Sequence, residues 1–65
     1  MTAISLNGTP TEASAATVAA LVQELGFAKG TVLVEVNGTA LRPDEWPRDL
    51  RAGDAIELLR IVAGG

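Results

Sequence analysis

The chain has 65 residues, 48% of them hydrophobic, and its five basic and eight acidic residues give a net charge of −3. With no Cys and no His, it has no disulfide scaffold, no thiolate zinc site, no cysteine nucleophile and no imidazole base. The acidic balance argues against nucleic acid as a partner, and no apolar run is long enough to span a membrane.

Thr2–Leu6 reads as a short strand with Ile4 and Leu6 on one face. Asn7-Gly8 is a hairpin signal of type I′, so Thr9–Glu12 is the returning strand. Pro10 has no N–H to donate, which puts that strand at a sheet edge. Thr17 is the best helix N-cap, with Ser14 a rival one turn earlier. Val18, Leu21, Val22 and Leu25 recur at i, i+3, i+4 and i+7, which makes one apolar stripe on a helix from Val18 to Leu25. Gly26 ends it as the C′ residue, and Phe27 folds back on the last turn. So short a helix is marginal alone and must be held by packing its stripe onto a sheet.

Lys29-Gly30 is a turn. Thr31–Val36 is the clearest strand, with Val32, Val34 and Val36 on one face and Leu33 and Glu35 on the other. Asn37-Gly38 turns the chain into a brief return, Thr39–Leu41. Pro43 ends regular pairing, and the segment to Pro47 reads as a loop or one short helical turn. Trp46 is read as the anchor of that loop, with a binding hot spot as the lesser reading. Leu50 is a core plug, and Ala52-Gly53-Asp54 a tight turn. Asp49 and Asp54 are read as ordinary turn residues.

The last stretch, Ala55–Gly65, begins as a strand and ends as a bare carboxylate. Ile56, Leu58 and Val62 share one parity with Arg60; Leu59 and Ile61 share the other with Glu57. Gly64 and Gly65 pack nothing. Either they are a frayed terminus, or they form a slender arm that presents the α-carboxylate to a partner. We read residues 1–62 as the domain and 63–65 as a flexible tail. The fold class is α+β: a mixed sheet with one main helix across one face. The helix stripe and Ile4, Leu6, Val32, Val34, Ile56 and Leu58 form its core, and the first and last strands lie parallel at the centre.

The order I-x-L-N-G, A-T-V-x-x-L-V-x-x-L-G, V-x-V-N-G, L-x-x-G-D-x-I-E and a final Gly-Gly resembles the thiamine-biosynthesis sulfur carrier proteins. That family is of the ubiquitin-like β-grasp type, and the likeness covers essentially the whole chain. It implies that an adenylating enzyme uses ATP and magnesium to activate the terminal carboxylate. Sulfur from a cysteine desulfurase or rhodanese-type donor then replaces the adenylate, and the thiocarboxylate feeds thiazole synthase. Carried to this chain, Gly65 is the sulfur attachment point, and Gly64 and Ala63 are the residues that thread into the partner. Ala63 stands where some members have a third glycine.

The residues fit this chemistry without any catalytic apparatus of their own. The chain has no nucleotide-binding loop, no catalytic residue is assigned, and neither a metal nor a cofactor is expected to reside on it. Side chains at positions 64 and 65 would obstruct a narrow tunnel, and glycine does not. Leu59, Ile61 and Arg60 are the candidates for partner docking. For Leu59 and Ile61 the competing reading is that a loop or the sheet's own edge covers them. For Arg60 it is that the charge only keeps the strand soluble. Glu12, Glu35 and Glu57 read first as a solvated face, and second as an acidic docking field. The competing functions are a carrier for molybdopterin or another acceptor, a protein-conjugating modifier, and a non-covalent β-grasp binding module with an irrelevant tail. No basic segment followed by an apolar core opens the chain, so a cytoplasmic location is expected.

Overall fold

Both Asn-Gly pairs turn as their composition requires. Asn7 and Gly8 have φ of 48° and 82°, and Asn37 and Gly38 have φ of 53° and 84°. These left-handed values suit a two-residue hairpin whose twist matches its strands, and Asn and Gly reach them at least cost. The computed structural model describes residues 1–28 and 30–61. Its strands are β1 (Thr2–Leu6), β2 (Thr9–Ala13), β3 (Val32–Val36), β4 (Thr39–Leu41) and β5 (Ala55–Arg60). The helix α1 (Val18–Glu24) lies between β2 and β3 in the chain, and a 3₁₀ turn at Pro43–Glu45 precedes β5.

One sheet runs in the order β2-β1-β5-β3-β4. The two hairpins β1–β2 and β3–β4 are antiparallel and form the flanks. Between them β5 pairs parallel with β1 and antiparallel with β3. The expected central pairing of the first and last strands is therefore present, and Pro10 lies on the β2 edge. The core joins Val18, Leu21 and Val22 of the helix to Ile4, Val32, Val34, Val36, Ile56 and Leu58 of the sheet. Leu6 is only half-buried, because it ends β1 beside the hairpin turn. Ala13 and Ala15 join the core, which the sequence reading left out. Trp46 is buried, as an anchor should be, and so is Leu50.

The helix is short, and its N-terminus is tied to the loop before β5. Thr17 is the N-cap and accepts from the Ala20 N–H at 3.1 Å. The Val18 and Ala19 N–H groups donate to the Arg48 and Trp46 carbonyls at 2.9 and 2.8 Å. The Leu50 N–H donates to the Ala16 carbonyl at 3.0 Å. Donors that a helix start leaves unpaired are thus satisfied by tertiary contacts. Ser14 does not cap; its hydroxyl donates to the Glu24 carboxylate at 3.0 Å. The helix stops at Glu24, with Leu25 as its C-cap and Gly26 at φ 83° beyond it. Leu25 sits past the last full turn, so it is 44% exposed and drops out of the stripe. The Phe27 N–H returns to the Val22 carbonyl at 3.2 Å, which folds the ring back against the core.

Candidate functional site

The site is organised by β5, whose two halves are held differently. Its first half is clamped from both sides. On the β1 side, the Asn7 side-chain carbonyl accepts from the Leu58 N–H at 2.8 Å, and the Asn7 N–H donates to the Ile56 carbonyl at 2.9 Å. On the β3 side, the Asn37 carbonyl accepts from the Ala55 N–H at 2.8 Å, and its NH₂ donates to the Asp54 carboxylate at 3.0 Å. Each asparagine therefore makes a turn and also fixes the central strand.

Asp54 closes the expected turn, its N–H donating to the Arg51 carbonyl at 3.0 Å, and it is buried as well. It is 6% exposed, accepts from the Arg51 N–H at 2.9 Å and lies 3.7 Å from the Arg48 guanidinium. Burial pushes its carboxyl up. The Arg51 N–H, the Asn37 amide and the Arg48 and Arg51 charges together outweigh that and leave it below its ordinary value. Its backbone carbonyl also accepts from the Ser5 N–H at 2.9 Å, so the entry to β5 is tied to β1.

The second half of β5 runs past the end of β1. Register with β1 covers Ser5–Ala55 and Leu6–Ile56, whereas register with β3 continues to Val32–Arg60. The Ile61 N–H still donates to the Thr31 carbonyl at 2.9 Å. At Ile61, the last described residue, the strand is held from the β3 side alone among the described residues.

The strand's two parities now have different surroundings. Ile56 and Leu58 enter the core, at 1% and 7% exposure. Leu59 and Ile61 lie on the open face of the sheet, at 52% and 45% exposure. No loop or sheet edge among the described residues covers them. Leu33 is the direct cross-strand partner of Leu59 and is 57% exposed, so it extends this apolar patch. The sequence carried the signal for Leu33, since it alternates with three buried valines, but only the register set it beside Leu59. Glu35 and Glu57 stand opposite each other in the next row of the same face. Glu12 shares the face, opposite in parity to buried Ala13, but pairs with Ala3 at the far end of β1.

Arg60 belongs to the other side. Its guanidinium lies 5.2 Å from the Phe27 ring centroid, a cation–π contact next to the end of α1. The structure thus brings Leu59 and Ile61 together and separates Arg60 from them. Gly65, Gly64, Ala63 and Val62 lie outside the described residues, and so does Lys29 of the predicted turn. Among the described residues no helix is long and apolar enough to cross a membrane.

The comparisons with known proteins agree with this architecture. The model of the ThiS family matches residues 4–65. The chain belongs to the ThiS family. The family's proteins are small ubiquitin-like β-grasp sulfur carriers of thiamine biosynthesis rather than enzymes, and membership implies partner enzymes in that pathway. A crystal structure of the thiamine biosynthesis protein ThiS from Geobacter metallireducens is 31% identical and superposes with a TM-score of 0.78, over 97% of this chain and 99% of that one. An NMR solution structure of a thiamine biosynthesis protein from the same organism gives the same identity and TM-score, over 97% of this chain and 87% of that one. No curated protein matches in a search by sequence.

Proposed function

We propose that this ThiS-family chain carries sulfur as a C-terminal thiocarboxylate on Gly65 and delivers it for thiazole formation. The observation that carries the reading is the family match, which runs through residue 65. Under this reading an adenylating enzyme uses ATP and magnesium to join the Gly65 carboxylate to AMP, with pyrophosphate leaving. A carboxylate is a poor electrophile because its charge repels a nucleophile, and the acyl phosphate link supplies a leaving group. A persulfide on a cysteine desulfurase or rhodanese-type donor then attacks the acyl carbon and expels AMP, and a thiol reductant cleaves the resulting acyl disulfide, leaving the thiocarboxylate on Gly65 and the donor's cysteine sulfur in a disulfide with the reductant. The thiocarboxylate passes to thiazole synthase, and the sequence of steps takes place in the cytoplasm.

The chain's own share is positioning. Ala63 and Gly64 thread into the partner, where a larger side chain would meet the tunnel wall. Leu59 and Ile61, with Leu33 beside them, form the docking surface. Their exposure at the end of β5 supports this, because a partner bound there stands only a few residues along the chain from Gly65. Arg60, turned to the opposite face over Phe27, stands outside this docking surface.

The test is intact-protein mass spectrometry after incubation with ATP, magnesium, a desulfurase with cysteine, a thiol reductant, and the adenylating enzyme of the same organism. One oxygen replaced by sulfur, in a C-terminal peptide ending at Gly65, is the expected result. A chain left unchanged by an enzyme that is active on another carrier would refute the proposal.

A further inference from the structure

The open face of the sheet holds a like-charged pair that no ion pair among the described residues neutralises. Glu35 and Glu57 are direct cross-strand partners in the β3–β5 register. At such positions Cβ atoms stand about 4.5–5.5 Å apart, and like charges there are destabilising. Across β3, Glu35 is flanked by Ala40 of β4. The ion pairs among the described residues are Arg42–Asp44, Arg42–Glu45 and Arg48–Asp54, and none reaches this pair. Arg60, the nearest cation along β5, is turned to the opposite face over Phe27. The next row of the same face is Leu33–Leu59, so the two carboxylates border the apolar patch directly.

We propose that Glu35 and Glu57 together form an acidic clamp that receives a guanidinium from the adenylating enzyme, seated beside an apolar contact on Leu33, Leu59 and Ile61. The inference rests on the reading of the open face as the docking surface and adds the chemistry of the partner. A guanidinium fits because its planar fork presents several donors at once and can bridge two carboxylates, which an ammonium does less well. Arginine is also enriched in interfaces, where lysine is depleted. Two carboxylates that repel each other in the free chain gain more from a shared cation than either would alone. The pair therefore gives up some stability of the free carrier in exchange for selection of a basic partner.

Glu35→Gln, Glu57→Gln and the double variant keep side-chain shape and remove charge. Thermal melts of each free variant, and titration calorimetry against the adenylating enzyme at low and high salt, test the clamp. The expected result is a melting temperature higher by about 2–4 °C with relief of the repulsion. With it, the double variant binds about tenfold more weakly at low salt, and its salt dependence flattens. Leu59→Ser is measured beside them. If Leu59→Ser weakens binding while the double glutamine variant binds like the parent, the clamp is wrong and the docking surface stands. If neither change alters affinity, the docking surface itself is wrong and the clamp falls with it.

Discussion

The two faces of β3 and β5 are built from the same two strands and obey opposite rules. On the inner face Val32, Val34, Val36, Ile56 and Leu58 are closed off by α1 and the loop that ends at Leu50. On the outer face Leu33, Glu35, Glu57 and Leu59 alternate with them one residue at a time. Burial on one side gives each inner side chain many neighbours, so its volume matters. The outer side chains have few neighbours, and their identity is free to answer to a partner. Within a single strand, then, stability and recognition are assigned by parity.

Substitution at matched positions breaks this comparison most sharply. Ile56→Ala should cost about 2–5 kcal/mol, because it leaves a cavity in the middle of the central strand. Leu33→Ala on the open face should stay within about 0.5 kcal/mol of the parent. Chemical denaturation midpoints measure both, and equal losses would mean that the outer face is packed after all.

A smaller effect separates the two ends of β5. Asn37→Ala removes the acceptor of the Ala55 N–H and the donor to Asp54, and it places a residue with a Cβ and no local hydrogen bond at a left-handed φ. Its cost should be about 1–3 kcal/mol. Hydrogen exchange should quicken at Ala55 and Ile56 before it changes at Leu33. Uniform acceleration across the sheet would show that the clamp is not local.

The smallest expected effect is that of acid on the Asp54 site. Its carboxyl titrates below the ordinary value of 3.8 in the folded chain. The stability it contributes is therefore complete above that value and is lost as pH falls through the lower, folded value. Denaturation midpoints between neutral pH and strong acid should fall more steeply for the parent than for Asp54→Asn. Parallel curves would remove Asp54 from the acid sensitivity.

Much of this fold was legible in local pattern. The two Asn-Gly turns, the alternating valines of β3 and the Thr17 cap each rest on neighbours within a few residues, and each is where the sequence placed it. The boundaries that moved are those where a distant group decides. Leu25 has the right spacing for the stripe, but the chain turns at Gly26 before it can reach the sheet. Ser14 has the right chemistry for a cap, but Thr17 sits where the loop carbonyls of Trp46 and Arg48 complete the helix start. Asp54 closes the turn that its sequence indicates, but its burial beside Asn37 and Arg48 was not legible, because neither is near it in sequence. The outward position of Leu59 and Ile61 was legible from parity, while Leu33 and the opposed Glu35 and Glu57 needed the β3–β5 register.

The sequence by itself determined the elements and the inward and outward parities of the strands, since periodicity and turn chemistry act over short stretches of chain, and its motifs in order carried the resemblance to the family whose model it matches. Only the tertiary structure decided that β5 lies between two hairpins, that both turn asparagines hold it there, that Arg60 turns to Phe27, and that two glutamates face each other beside an apolar patch. Those contacts join residues far apart in the chain, and their register is set by how the whole sheet packs against the helix.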